Sequence, residues 1–173
     1  KSYPAGNSVH TSQAWFRSEA SRGRVMAWGN EKAQGKVVMQ YRSPPRVHME
    51  CYFSDANVDG DLVSKGPQWV HAVHTYRRGE SLIYLNGVLA GKGNPRATAL
   101  NVESPSRMWI GGWYNNYDFV GDIDEVRVSN VIRSPEWIQL EYENQKPLQT
   151  LVGPIVQSAG SFATPHDSVH LLE

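Results

Sequence analysis

The stretch Trp113-Tyr114-Asn115-Asn116-Tyr117-Asp118-Phe119 places four aromatic rings among two amides and a carboxylate. That mixture suits a saccharide: ring faces stack on the apolar face of a pyranose, while amides and carboxylates meet its hydroxyls. The candidate ligand-binding residues are therefore Trp113, Tyr114, Asn115, Asn116, Tyr117 and Asp118, with Trp28 and Tyr52 assisting. A structural reading competes: Trp113 and Phe119 pack into a core, and Asn115-Asn116 is only a turn. The expected split leaves Tyr114, Asn115, Asn116 and Tyr117 exposed and buries Phe119.

A second candidate is Asp55-Ala56-Asn57-Val58-Asp59-Gly60-Asp61. Oxygen-bearing side chains alternate, and Gly60 permits a sharp turn, which is the logic of a calcium loop. Asp55, Asn57, Asp59 and Asp61 are the expected Ca2+ ligands, with a structural role for the ion. The position where a closing Glu would stand is Gly66. The competing reading is a solvated Asp/Asn/Gly connection between strands.

Asp122 and Asp124, two apart, share one face of a strand, and such a carboxylate pair can serve glycoside hydrolysis. The plainer reading has Asp124 facing inward beside Val126 and Val128 as a satisfied structural carboxylate. His71 and His74, three apart on a strand, point to opposite faces and cannot share a metal. Arg77-Arg78, and Arg42 with Arg46, can meet an anionic glycan, since guanidinium forks suit carboxylate and sulfate. They also read as solvated turn and edge charges. Cys51 lies in an apolar alternation that suits an inert thiol. No catalytic residues are assigned.

These side chains need strands to hold them. Period two runs through 47–53 and 70–76, and further strands are expected at 12–16, 24–28, 36–41, 81–85, 88–90, 107–111 and 123–128. Asn86-Gly87 between two of them is a type I′ hairpin signal. Turn-forming clusters, including 57–61, separate the others. One helix is expected: Ser134 caps it, Pro135 opens it and Glu136 suits its positive end, for about two turns. The fold class is all-β, a two-sheet antiparallel sandwich or jelly roll with one short C-terminal helix. Residues 1–145 are expected to form the domain and 146–173 a C-terminal extension or linker.

The ordered set Ala14-Trp15, Trp69-Val70-His71, Tyr84-Leu85-Asn86-Gly87, Ile110-Gly111-Gly112 and Gly121-Asp122-Ile123-Asp124-Glu125-Val126-Arg127, followed by a short helix, resembles the laminin-G-like, concanavalin A-like jelly-roll family, especially its bacterial members. The resemblance covers residues 9 to 145. It implies a binding module, commonly for carbohydrate or protein and often with calcium, with ligand sites on rim loops or the concave face. It also implies a domain of a longer, multidomain exported protein, extracellular or in the cell envelope. The Glu-x-Asp-x-x-Glu strand of concanavalin-like glucanases is absent.

Composition narrows the classes further. With 17 basic and 17 acidic residues in 173, the chain lacks the basic excess of a nucleic-acid binder. No run approaches the ~18 apolar residues needed to span a bilayer, so membrane insertion is not expected. The reading that follows is a non-catalytic carbohydrate-binding module whose partner is a polysaccharide or other glycan. A protein-interaction or adhesion module is the alternative, and a glycoside hydrolase a remoter one.

Overall fold

The computed structural model describes residues 3–52, 54–62, 66–114 and 117–147. In chain order the elements are β1 (His10–Ser18), β2 (Arg22–Gly29), β3 (Lys36–Arg42), β4 (Arg46–Cys51), β5 (Val58–Asp61), β6 (Gly66–Arg77), β7 (Glu80–Leu85), β8 (Val88–Lys92), β9 (Arg107–Ile110), β10 (Asp122–Ser129) and α1 (Pro135–Gln145). Two five-stranded sheets form, ordered β10-β1-β6-β7-β8 and β5-β4-β3-β2-β9, with antiparallel pairings throughout.

Alternation decides which side chains meet. Phe16, Ala72, Tyr76, Ile83 and Leu85 of the first sheet pack on Val25, Trp28, Val37, Met39, Val47, Met49 and Val58 of the second. The hairpin at Asn86-Gly87 has φ of 51° and 81°, the paired positive values that a type I′ turn requires.

α1 covers the outer face of the first sheet, where Ile138 packs on Val73 and Tyr84. Ser134 Oγ accepts the Trp137 N–H at 3.2 Å, as a capping residue should. The helix has 11 residues, about a turn longer than expected. It stops at Gln145 because Lys146 precedes Pro147 and is held extended, at φ −61° and ψ 140°. Beneath it Gln13 Nε2 donates to Glu141 Oε2 at 3.0 Å, and Arg127 bonds the other carboxylate oxygen.

Two expectations are corrected. Residues 58–61 are not a turn but β5, paired with β4. Asp124 does not face inward. Glu125 sits at φ 51° in a bulge against Gln13–Trp15, so the inward phase passes from Ile123 to Val126. Asp124 is thereby turned out beside Trp15 and is exposed. Residues 148–173, most of the expected C-terminal extension or linker at 146–173, lie outside the described residues.

Candidate ligand-binding site

The face of the second sheet turned away from the core is built in cross-strand rows. One row runs Trp109–Ala27–Val38–Glu50, the next Arg24–Gln40–His48–Asp59, and the last Arg22–Arg42–Arg46–Asp61. Each residue alternates with a core residue of its own strand, so the face is apolar at one end and charged at the other.

The segment after β9 closes over the apolar end. Gly111 N–H donates to the Val25 carbonyl at 2.9 Å, Phe119 N–H to the Gly111 carbonyl at 3.0 Å, and Arg24 N–H to the Tyr117 carbonyl at 2.9 Å. Left-handed backbone at Tyr114 and Tyr117 (φ 51° and 60°) folds this segment back on β2. Gly23 beneath it is obligatory for the approach, since a Cβ there would lie 2.8 Å from the Phe119 Cα. Trp113 settles on Ala27 and Val38, 4.2 Å from the Trp109 ring, with Tyr114 4.8 Å from Trp109.

A cleft of about 820 Å³ lies against this face. Trp113, Tyr114, Tyr117 and Tyr52 form its aromatic walls, and Arg24, Glu31, Lys36, Gln40, Arg42, His48, Glu50 and Asn57 supply its polar groups. Tyr114 and Tyr117 are 52% and 54% exposed, and the Arg24 guanidinium lies over the Tyr117 ring, Cζ 4.1 Å from its centroid. The Lys36 side chain is only 2% exposed. Its ammonium lies 3.1 Å from Glu31 Oε1 and 4.0 Å from Glu50 Oε1, and 3.9 Å and 4.8 Å from the ring centroids of Tyr52 and Trp113. Burial would raise the Glu31 carboxyl, but hydrogen bonds from Lys36 and Trp113 and the charges of Lys36 and Arg24 outweigh it and hold it below the ordinary carboxylate range. Glu50 also accepts from Gln40. The polar groups are thus fixed before any ligand arrives.

The sequence-derived site residues fare unequally. Trp113, Tyr114, Tyr117 and Tyr52 converge on the cleft. Trp113 is 3% exposed and serves as wall and packing residue at once. Asp118 is exposed but does not line the cleft. Phe119, expected to be buried, is half-buried and packs edge-on against Phe16 of the core. Asn115 and Asn116 lie outside the described residues. Trp28 is corrected: it is 1% exposed between the sheets, donates to Ser12 Oγ at 3.0 Å and has no access to the cleft.

Three of the four residues expected to hold calcium, Asn57, Asp59 and Asp61, have other partners in this structure. The alternation of Asp59 and Asp61 is that of strand β5. Asp59 lies 2.8 Å from His48 Nδ1, and Asp61 lies 3.5 Å from Arg46 Nε. Asn57 Oδ1 accepts the Cys51 N–H at 2.7 Å, and Asp55 is an exposed turn residue at φ 56°. Among the described residues no group of three or more His, Cys, Asp or Glu can hold a metal ion.

Sequence reasoning missed Arg24, Glu31, Lys36, Gln40, His48, Glu50 and Trp109. The available signal was Lys36-x-Val38-x-Gln40-x-Arg42 beside His48-x-Glu50, a polar phase on two adjoining strands. Asp122 and Asp124 sit on β10 of the other sheet, Asp122 paired with Arg17 at 2.6 Å.

Two five-stranded antiparallel sheets, face to face with a ligand-sized cleft on one outer face, define a concanavalin A-like β-sandwich. Residues 4–139 match the family model laminin G 3, described as the concanavalin A-like lectin/glucanases superfamily, and the chain belongs to this family. No curated protein matches it. Among solved structures it is similar to a candidate carbohydrate-binding protein from Bacteroides ovatus: 20% identity, TM-score 0.60, covering 79% of this chain and 42% of that one. It is similar to domain 4 of AbnA, a GH43 extracellular arabinanase from Geobacillus stearothermophilus, in complex with arabinotriose: 17% identity, TM-score 0.58, covering 79% and 66%. It is also similar to domains LG4-5 of the mouse laminin alpha1 chain: 16% identity, TM-score 0.55, covering 71% and 36%. The chain thus spans less than half of the Bacteroides protein. These likenesses show the fold.

Proposed function

We propose that this domain is a non-catalytic glycan-binding module of an exported bacterial protein, and that it holds its saccharide in the cleft on the outer face of the second sheet. The observation that carries this reading is the meeting of two half-exposed rings, Tyr114 and Tyr117, with a prearranged set of donors and acceptors from Lys36, Gln40, Arg24 and Glu50. Rings select the apolar face of a sugar and the fixed polar groups orient its hydroxyls. Prearranged groups lose little freedom on binding. The arabinotriose complex of the AbnA domain supports the choice of saccharide as ligand class.

A binding role is favoured over hydrolysis because both carboxylates of the cleft, Glu31 and Glu50, share the Lys36 ammonium. The pair Asp122 and Asp124 lies on the other sheet, away from these rings. A glycan array followed by affinity electrophoresis on polysaccharides tests the proposal. Retardation of the domain is expected, reduced tenfold or more by Tyr114→Ala. Absence of binding to every glycan would favour the adhesion reading, and release of reducing sugar would overturn the non-catalytic one.

A further inference from the structure

The cleft does not end at its aromatic walls. Beyond Tyr117 it continues into a recess of about 480 Å³ lined by Arg22, Arg24, Arg42, Ser21, Ser43 and Tyr117 among others, and no described residue lining it is acidic. Arg22 and Arg42 are directly opposed across β2 and β3. Like charges in that relationship repel. Among the described residues neither forms a salt bridge, and Arg42 Nε finds only Gln40 Oε1, at 3.0 Å. Arg46, next in the row, is neutralised by Asp59 and Asp61.

Arg24 adds an independent observation. Its side chain is 9% exposed, its nearest carboxylate oxygen is 3.8 Å away on Glu50, and its Nε is buried without a hydrogen-bond partner. Its guanidinium lies over the Tyr117 ring, with Cζ 4.1 Å from the centroid. A guanidinium this buried, with one carboxylate oxygen no nearer than 3.8 Å, keeps a positive charge that an oxyanion in the recess would complement. Three guanidinium forks with two hydroxyls beside them match the planar, multidentate oxygens of a carboxylate or sulfate better than a neutral hydroxyl.

We propose that the recess is an anion subsite of the glycan cleft, so that the ligand is an acidic glycan with a carboxylate or sulfate group set a ring or two away from the sugar that stacks on Tyr114. This rests on the glycan-binding reading. Val38, under Trp113, and Arg42 are four residues apart on β3, roughly 13 Å along the strand. A ligand serving both ends must therefore exceed one ring.

The test compares galactan, galacturonan and a sulfated galactan by titration calorimetry at low and moderate salt, with wild type, Arg22→Gln, Arg22→Lys and Tyr114→Ala. Arg22 lines the recess but not the cleft, so its variants separate the two sites. Galacturonan, the sulfated polymer or both should bind about tenfold or more tighter than galactan, as one good charge-assisted pair implies. That preference should weaken with salt. Arg22→Gln should remove most of it without changing the galactan affinity, Arg22→Lys should keep part, and Tyr114→Ala should weaken all three polymers alike. Which acidic polymer gains identifies the anion. Equal binding of all three, with Arg22→Gln silent, overturns the anion subsite and leaves the glycan module standing. Binding of none of the three, with none on the glycan array either, overturns both.

Discussion

Lys36 and Tyr52 face each other across β3 and the end of β4: the ammonium stands 3.9 Å from the ring centroid, and the Tyr52 N–H donates to the Lys36 carbonyl at 3.1 Å. A lysine buried this deeply is tolerated only because Glu31, Glu50 and two ring faces surround its charge. Lys36→Met should leave those carboxylates facing each other and destabilise the domain by about 2–4 kcal/mol, somewhat less than a fully buried pair because Glu31 is half exposed. Urea unfolding measures this, and an unchanged midpoint would show the charge network to be incidental.

Trp28 and Tyr114 separate core from platform. Trp28→Ala should cost about 3–5 kcal/mol, the usual penalty for emptying a large aromatic site. Tyr114→Ala should stay within about 0.5 kcal/mol of wild type, as exposed positions do, while losing glycan affinity. If Tyr114→Ala proved the more damaging to stability, the ring would belong to the packing.

Gly23→Ala tests how the loop is held. The added methyl meets the Phe119 backbone at 2.8 Å and the Asp118 carbonyl at 3.0 Å, so the loop must lift from β2. A loss of about 1–3 kcal/mol is expected, the range for overpacking, together with weaker binding as the Tyr117 and Tyr114 rings shift. Full binding with full stability would mean that the loop finds its place without this contact.

Acid should loosen the fold before the carboxylates titrate. Burial pushes His10 down to about 4 against a backbone hydrogen bond to Ser8 that opposes it, and burial together with the Arg127 charge pushes His71 down to about 4. The folded state keeps both rings neutral, whereas the unfolded chain protonates near pH 6.5. Stability is therefore fully present above about pH 6.5 and falls as pH drops toward 4, by on the order of 3 kcal/mol for each ring. Urea midpoints at pH 7.5 and pH 5 measure it; a flat profile would contradict the burial of these imidazoles.

Calcium should not matter. An ion bound at saturating concentration would add on the order of 2–3 kcal/mol, a rise of several degrees in Tm. Since Asp59 and Asp61 face His48 and Arg46, melts with calcium and with chelator should coincide. A calcium-dependent rise abolished by Asp59→Ala would restore the metal loop.

The sandwich was legible because its signals are local: alternation within a strand, Asn86-Gly87 at a turn, Ser134-Pro135 at a helix start. Half the site was legible for the same reason, since Tyr114 and Tyr117 are sequence neighbours. The charged half was not. Arg24, Gln40 and His48 become adjacent only through the register of three strands, and register follows from which phase is buried. Trp28 shows the same blindness in reverse: its composition suits a sugar platform, but its phase on β2 points inward. Asp59 and Asp61 read as a turn although they lie on β5, because loops and strands share a spacing of two, and only the inward Val58 and Gly60 distinguish them.

Cys51 is the only cysteine of the chain, is fully buried, and has its thiol pushed up to about 12 by burial and by the Glu50 charge. A thiol so placed does not compete for alkylating dyes at neutral pH. The native chain is therefore already a silent background for single-site labelling. A fluorophore attached through Ala33→Cys, on the exposed turn between Glu31 and Lys36, would watch the cleft fill with no other cysteine to remove.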